Sequence, residues 1–414
     1  MSNPDLPTIN ADRLWRRHRE LAAIGATEAG GLNRLALSDE DIAGHALVAG
    51  WAIERGFAVE IDAIGNLFIR RPGTDATLAA VGSGSHTDSQ PMGGAFDGSF
   101  GVLSAFETLE ALQDAGTETR HGIEAVIWNN EEGARFTPGL TGSGTHAGAY
   151  ALDAMLALRD DAGTTMGECV ARLKDAIPAA SVRELGLPFA AFVEAHIEQA
   201  TVLEDSGDTI GVVTGMQGNR RFEVTVTGEN AHSGTTPRAR RKDAFVAATD
   251  MTTALRDVFW DEDDVARFTI GKFEVAPGAK SVVPGHASFF IDFRHPSAES
   301  LKSMGDQVAT VCECLKGPCE VRVEEVSSAW PVVFPDEIQN RIRASAEARG
   351  YRNRPVLSGA GHDARFMVDD CPTGMVFIPC LNGISHNEAE HAELEDMAAG
   401  AQVVSDVVTG LART

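Results

Sequence analysis

Nowhere does the 414-residue chain carry an unbroken apolar run of about eighteen, the length that spans a bilayer. The opening stretch MSNPDLPTINADRLWRRHRE has no apolar segment of the kind found in secretory leaders, so a cytoplasmic protein is expected. Cysteine is scarce. Cys169, Cys312, Cys314, Cys319, Cys371 and Cys380 are too few and too scattered for a disulfide framework. The cluster CECLKGPC has no histidine or second cysteine pair at finger spacing, so reduced structural thiols are expected there rather than a metal site. Positive charge is also in deficit. Against 60 acidic residues stand 35 basic ones, a net −25, which argues against nucleic acid or an anionic membrane as partner. The balance is compatible with bound divalent cations but does not require them, and a solvated acidic surface is the plainer reading.

What is present is an ordinary globular composition, with 43% hydrophobic and 23% charged residues. Over the first 210 or so residues, short apolar runs alternate with helical patterns, the signature of α/β architecture. TLAAVGSGS (77–85) reads as a buried strand ending at His86. The next segment, 99–116, reads as a helix with Val102, Leu103, Phe106, Leu109 and Leu112 on one face. GIEAVIWNNEE (122–132) is a second strand. From about 215 the texture changes: strands at 221–229, 267–275, 286–294 and 320–326 enclose helices at 242–259 and 298–316. That β-α-β-β-α-β order predicts a ferredoxin-like α+β domain. The expectation is therefore an α/β catalytic domain built from 1–214 and 329–414, with 215–328 inserted as a lid or dimerisation domain.

Chemistry gathers at strand ends. HTDSQPMGGAFDG (86–98) holds a histidine and two aspartates around a glycine pair, too polar for a core strand. His86, Asp97, Glu132, His196 and His386 together could form a two-metal site, since imidazole and carboxylate suit zinc, manganese, cobalt or nickel. An aspartate can bridge two ions through its two oxygens, and ions about 3.5–4 Å apart can activate a shared water. On spacing alone, however, each of these histidines is more often a packed or surface residue than a ligand.

Six segments in register add a resemblance. GSHTDSQPMGGAFDGSFGV, NNEEGARF, FVEAHIEQ, HSGTTP, SGAGHDA and GISHNEAE look like the motif set of the carbamoylase branch of the dinuclear metallo-aminoacylase and carboxypeptidase superfamily. That branch includes N-carbamoyl-L-amino-acid hydrolases, β-ureidopropionases and allantoate amidohydrolases. The resemblance implies His86, Asp97 and His196 on one ion, and Asp97, Glu132 and His386 on the other. It implies Glu131 as general base and Asp88 as the acid orienting the His86 ring, where a turn-capping aspartate is the plainer alternative. His232 would polarise the scissile carbonyl from a neighbouring subunit, which requires a homodimer through the inserted domain. Arg294 would take the substrate carboxylate, with Gln199 and Gly361 beside the substrate.

Three positions depart from the pattern. Ser281, in PGAKSVVPG, stands where the family usually has an asparagine, and offers a shorter reach and one donor. Lys280 beside it reads as solvated. HIEQA replaces HIEQG. Arg221 stands where carbamoylases often have an aromatic residue and looks more like the allantoate-type enzymes. The expected activity is hydrolysis of a linear ureido C–N bond of a small N-carbamoyl acid. The alternatives are an allantoate- or ureidoglycolate-type amidohydrolase, an aminoacylase or dipeptidase of the same superfamily, and a catalytically silent metal-bound small-molecule binding protein.

Overall fold

The central strands of the large unit are buried along their whole length, which requires covering on both faces. The computed structural model, which describes residues 6–414, shows how this is met. Four strands, Thr373–Ile378, Ala191–Ile197, Val81–His86 and Ile123–Trp128, run parallel as neighbours in a ten-stranded mixed sheet. Leu67–Arg71 and Ile210–Met216 flank them antiparallel. All six residues of Val81–His86 and of Ile123–Trp128 are buried. Parallel strands share their carboxyl ends, and ligands of open α/β sheets collect beyond those ends.

The strand expected at 77–85 begins only at Val81 and runs to His86. The strand expected over 122–132 stops at Trp128. Asn130 turns the chain there with φ +53, held by side-chain bonds to the Phe136 carbonyl (2.8 Å) and the Thr141 hydroxyl (2.7 Å). Glu131 and Glu132 therefore sit on a loop past the sheet. The helix Ser99–Asp114 differs from its one-faced expectation, because every residue from Ser99 to Leu112 is buried. Helices Ala11–Ala22 and Leu394–Ala412 pack over the side that the sequence marks as polar. Glu107 and Glu110 are met there by Arg13 at 2.6 Å and Arg17 at 2.8 Å.

The chain divides into two compact units, one running to Gly215 and resuming at Val333–Thr414, the other Met216–Val332. In the second, four antiparallel strands lie in the order Arg267–Ala276, His286–His295, Gly218–Thr227, Glu320–Ala329. Helices Ala244–Val258 and Ala298–Leu315 cover one face, burying Phe222, Val224 and Val226 of one inner strand and Phe289, Ile291 and Phe293 of the other. This is the ferredoxin-like α+β arrangement inserted into an α/β unit. All six cysteines are free, and Cys312 and Cys319 are buried in this second core. Among the described residues no helix is long and apolar enough to cross a membrane.

Candidate metal centre and the residues around it

The parallel strands deliver the donor side chains to one place. His86 is the last residue of its strand, and His196 is the sixth residue of Ala191–Ile197. Asp97 lies just ahead of the helix that starts at Ser99, and Glu132 and His386 follow the ends of two other strands. The Asp97 carboxylate faces two ways. Its Oδ1 lies 2.9 Å from His196 Nε2 and 3.6 Å from His86 Nε2. Its Oδ2 lies 3.3 Å from His386 Nε2, which in turn is 3.5 Å from Glu132 Oε2. Two groups of donors result, His86–Asp97–His196 and Asp97–Glu132–His386, each with ligand atoms within 4.8 Å of one another and with Asp97 common to both.

Tautomers favour coordination through Nε2. The Nδ1 of His86 is 2.9 Å from the Asp88 carbonyl, and that of His196 is 2.9 Å from the Ile197 carbonyl. A carbonyl only accepts, so each Nδ1 carries hydrogen and, in the neutral ring, Nε2 keeps its lone pair. Like charge is crowded around these rings. Burial, and then the Asp97 carboxylate, raises Glu132 to about 7. Burial also pushes Glu131 well above the carboxylate range, with His86 pulling it down and Glu132, Asp363 and Asp97 pushing it further up. Nε2 lone pairs beside crowded, buried carboxylates fit divalent cations, which would neutralise what the imidazoles alone do not.

Glu131 stands at the edge of this cluster, its Oε2 3.7 Å from His86 Nε2. Asp88 reaches His86 through its main-chain carbonyl, while its carboxylate is 3.6 Å from the same nitrogen. That carboxylate accepts the main-chain N–H groups of Glu131 (3.2 Å) and Glu132 (3.1 Å), so it ties the glutamate pair to the His86 strand end. Gln199, at φ +59, donates from Nε2 to Asp97 Oδ2 at 2.9 Å. Met92, Asn130 and His386 share this left-handed backbone, which costs a non-glycine residue on the order of 1–3 kcal/mol and collects at functional sites. Gly98, at φ +63, passes so close to His86 that a Cβ there would stand 2.4 Å from Nε2. Gly361 lies in an exposed loop after the strand Asn353–Ser358.

In the inserted unit, Ala231–His232 pairs with Val282–Val283, which brings Ser281 next to His232; the Ser281 carbonyl accepts Ser233 N–H at 3.0 Å. His232 is exposed, and its Nδ1 accepts the N–H groups of Gly234 (3.0 Å) and Thr235 (3.2 Å). In the neutral ring its Nε2 is consequently an outward N–H donor. Arg221 and Arg294 both hold Asp292 on the sheet face away from the helices, Arg221 Nε at 2.9 Å and Arg294 Nε at 3.3 Å.

Four supporting residues have no role in the sequence reading. Gln90 donates to Glu132 Oε2 at 2.8 Å, and Ser385 to Glu390 Oε2 at 2.9 Å. Glu390 Oε1 accepts the main-chain N–H groups of Phe96 and Asp97. All three lie inside the quoted motifs, where a polar residue beside a ligand is the available signal. Arg34 carries no such signal. It is fully buried and bonds the Thr87 carbonyl at 2.8 Å and the Ser99 hydroxyl at 3.0 Å.

The profile of the family described as Peptidase family M20/M25/M40 matches residues 82–410, a span that takes in every one of these donors. The chain belongs to that family. Among its M20 relatives is an N-carbamoyl-L-amino-acid amidohydrolase of Rhizobium meliloti, 38% identical over 97% of this chain and 96% of that one. An allantoate amidohydrolase of Escherichia coli K12 is 33% identical, over 95% and 96%. A solved hydantoinase/carbamoylase family amidase from Burkholderia multivorans superimposes with TM-score 0.89 at 42% identity, covering 99% of this chain and 100% of that one. This M20 chain is accordingly a hydrolase, and its fold is the catalytic unit plus inserted unit found in that family.

Proposed function

We propose that the protein hydrolyses the linear C–N bond of an N-carbamoyl (ureido) amino acid, releasing the amino acid, ammonia and carbon dioxide, with two divalent ions as cofactor. The observation that carries this is the Asp97 carboxylate, whose two oxygens face separate histidine groups. His86, Asp97 and His196 would hold one ion, and Asp97, Glu132 and His386 the other. Zinc, manganese, cobalt and nickel all suit this donor set. Bound there, such ions supply Lewis acidity and make water nucleophilic at neutral pH.

The chain's own residues account for the rest. Glu131 takes a proton from the attacking water and returns it to the departing nitrogen, a task that needs a carboxylate beside the cluster but outside the ligand set. Asp88 keeps Glu131 in place through its main-chain N–H. The Nε2–H of His232 would donate to the carbamoyl oxygen as negative charge develops, from a second copy in a homodimer formed by the inserted unit. Arg294 offers a guanidinium fork to the substrate carboxylate, with Gln199, Ser281 and Gly361 as further polar contacts. The six free cysteines suit a reducing cytoplasmic setting.

A second reading, an allantoate- or ureidoglycolate-type substrate, is favoured by Arg221. Arg221 and Arg294 lie side by side against Asp292 on one sheet face, and a second guanidinium beside the one offered to the carboxylate suits a substrate with an additional polar substituent. The test is ammonia release from a panel of N-carbamoyl amino acids, allantoate and N-acetyl amino acids, with metal-free protein reloaded with one metal at a time. Ammonia from N-carbamoyl acids supports the first reading, and selective turnover of allantoate supports the second. Release of acetate with no ammonia from any ureido compound would remove both.

A further inference from the structure

The two donor groups lie on segments far apart in the chain, and one side chain outside the donor set joins them. Glu390 Oε1 accepts the N–H of Phe96 at 2.9 Å and of Asp97 itself at 3.0 Å, while Oε2 accepts the hydroxyl of Ser385 at 2.9 Å. Ser385 precedes His386, and its hydroxyl also lies 3.3 Å from Asp97 Oδ2. Glu390 is only 6% exposed. The loop it grips is shaped around it: a Cβ on Gly94 would stand 2.0 Å from the Glu390 carboxyl carbon. One buried carboxylate thus accepts three hydrogen bonds. They set the position of the Asp97 main chain relative to the His386 loop, and those are the two segments whose donors make up the Asp97–Glu132–His386 group.

We infer that Glu390 is a positioning residue that assembles the second of the two ion sites by clamping the Asp97 turn onto the His386 loop. The inference rests on the dinuclear reading of the site. Its effect falls mainly on the second site, because His386 is the most open of the donors, with 49% of its side chain exposed and a backbone at φ +54. The first group draws His86 and His196 from buried strands and depends less on the clamp.

Metal stoichiometry and stepwise affinity, measured by titrating metal-free protein with zinc or manganese in a calorimeter, test this without reference to turnover. Wild-type protein takes up two ions. E390A keeps one ion near wild-type affinity and binds the other roughly 10–100-fold more weakly, the usual scale for losing a group that orients a ligand. E390Q recovers most of that loss, because an amide oxygen still accepts both N–H groups and its NH2 can donate to the Ser385 oxygen. G94A, which drives a methyl group into the Glu390 carboxyl, weakens the same ion and provides the test should E390A not fold. Folded E390A and G94A that bind both ions with wild-type affinity would overturn the inference, as would E390Q behaving like E390A. If wild-type protein takes up no more than one ion, the dinuclear reading fails first and the inference falls with it.

Discussion

Acid should weaken the large unit through one histidine that has no part in the metal cluster. His146 is 7% exposed and enclosed by Trp128, Phe189 and Phe68, with ring centroids 5.2, 5.6 and 5.8 Å away. Burial, and after it the Arg183 guanidinium, lowers its pKa from 6.5 to about 4. The native state thus holds the neutral ring, whereas the unfolded chain takes up a proton as soon as pH falls through 6.5. Because the unfolded state binds more protons in that window, stability is complete above pH 6.5 and is lost as pH falls toward 4. The whole shift corresponds to roughly 3 kcal/mol, of which about 2 kcal/mol is gone by pH 5. The assay is urea unfolding followed by tryptophan fluorescence at a series of pH values, for wild-type protein and for His146→Leu. The variant loses the ring's bond to the Leu187 main chain and starts less stable, but its stability falls less steeply between pH 6.5 and 4. Parallel pH profiles for the two proteins would refute the argument.

Other consequences follow from the metal cradle. Gly98→Ala combines an unfavourable φ of +63 with a Cβ 2.4 Å from His86 Nε2, so the folded variant should bind metal far more weakly than wild type. Wild-type metal affinity in Gly98→Ala would show that the turn is not as close to the ring as described. Arg34→Met removes charged hydrogen bonds to the Thr87 and Leu21 carbonyls and the Ser99 hydroxyl in the interior, and to the part-buried Ile24 carbonyl. The expected loss is on the order of 3 kcal/mol, partly offset by the lower cost of burying an uncharged side chain. An unchanged urea midpoint would mean that the buried guanidinium contributes nothing net.

Much of the architecture is readable from periodicity because the elements of the inserted unit alternate cleanly between a covered and an open face. Phe222, Val224 and Val226 point at helices, and Arg221 and Glu223 point away. Periodicity fails where tertiary packing covers both faces. Glu107 and Glu110 look like a solvent face along 99–116, and the distant Arg13, Arg17 and Arg55 make their burial possible. The end of the strand before Glu131 is likewise set by the turn at Asn130, whose side-chain partners lie on a loop that no local pattern announces. At the site, donor types and motif order single out the side chains that gather around Asp97. The residues that hold them in place act at long range, Arg34 across 53 positions with no motif around it, and Glu390 across 293, marked only as a polar residue inside a motif.

On the proposed mechanism, ureido hydrolysis depends on Glu131 acting beside two bound ions. That dependence is tested most directly by comparing ammonia release from N-carbamoyl amino acids for wild-type protein and Glu131→Gln, each first shown to hold the same number of ions. The amide keeps the size and cannot take the proton, so kcat should fall by roughly 10²–10⁴-fold while metal content stays the same. Undiminished ammonia release by fully metal-loaded Glu131→Gln would contradict the account.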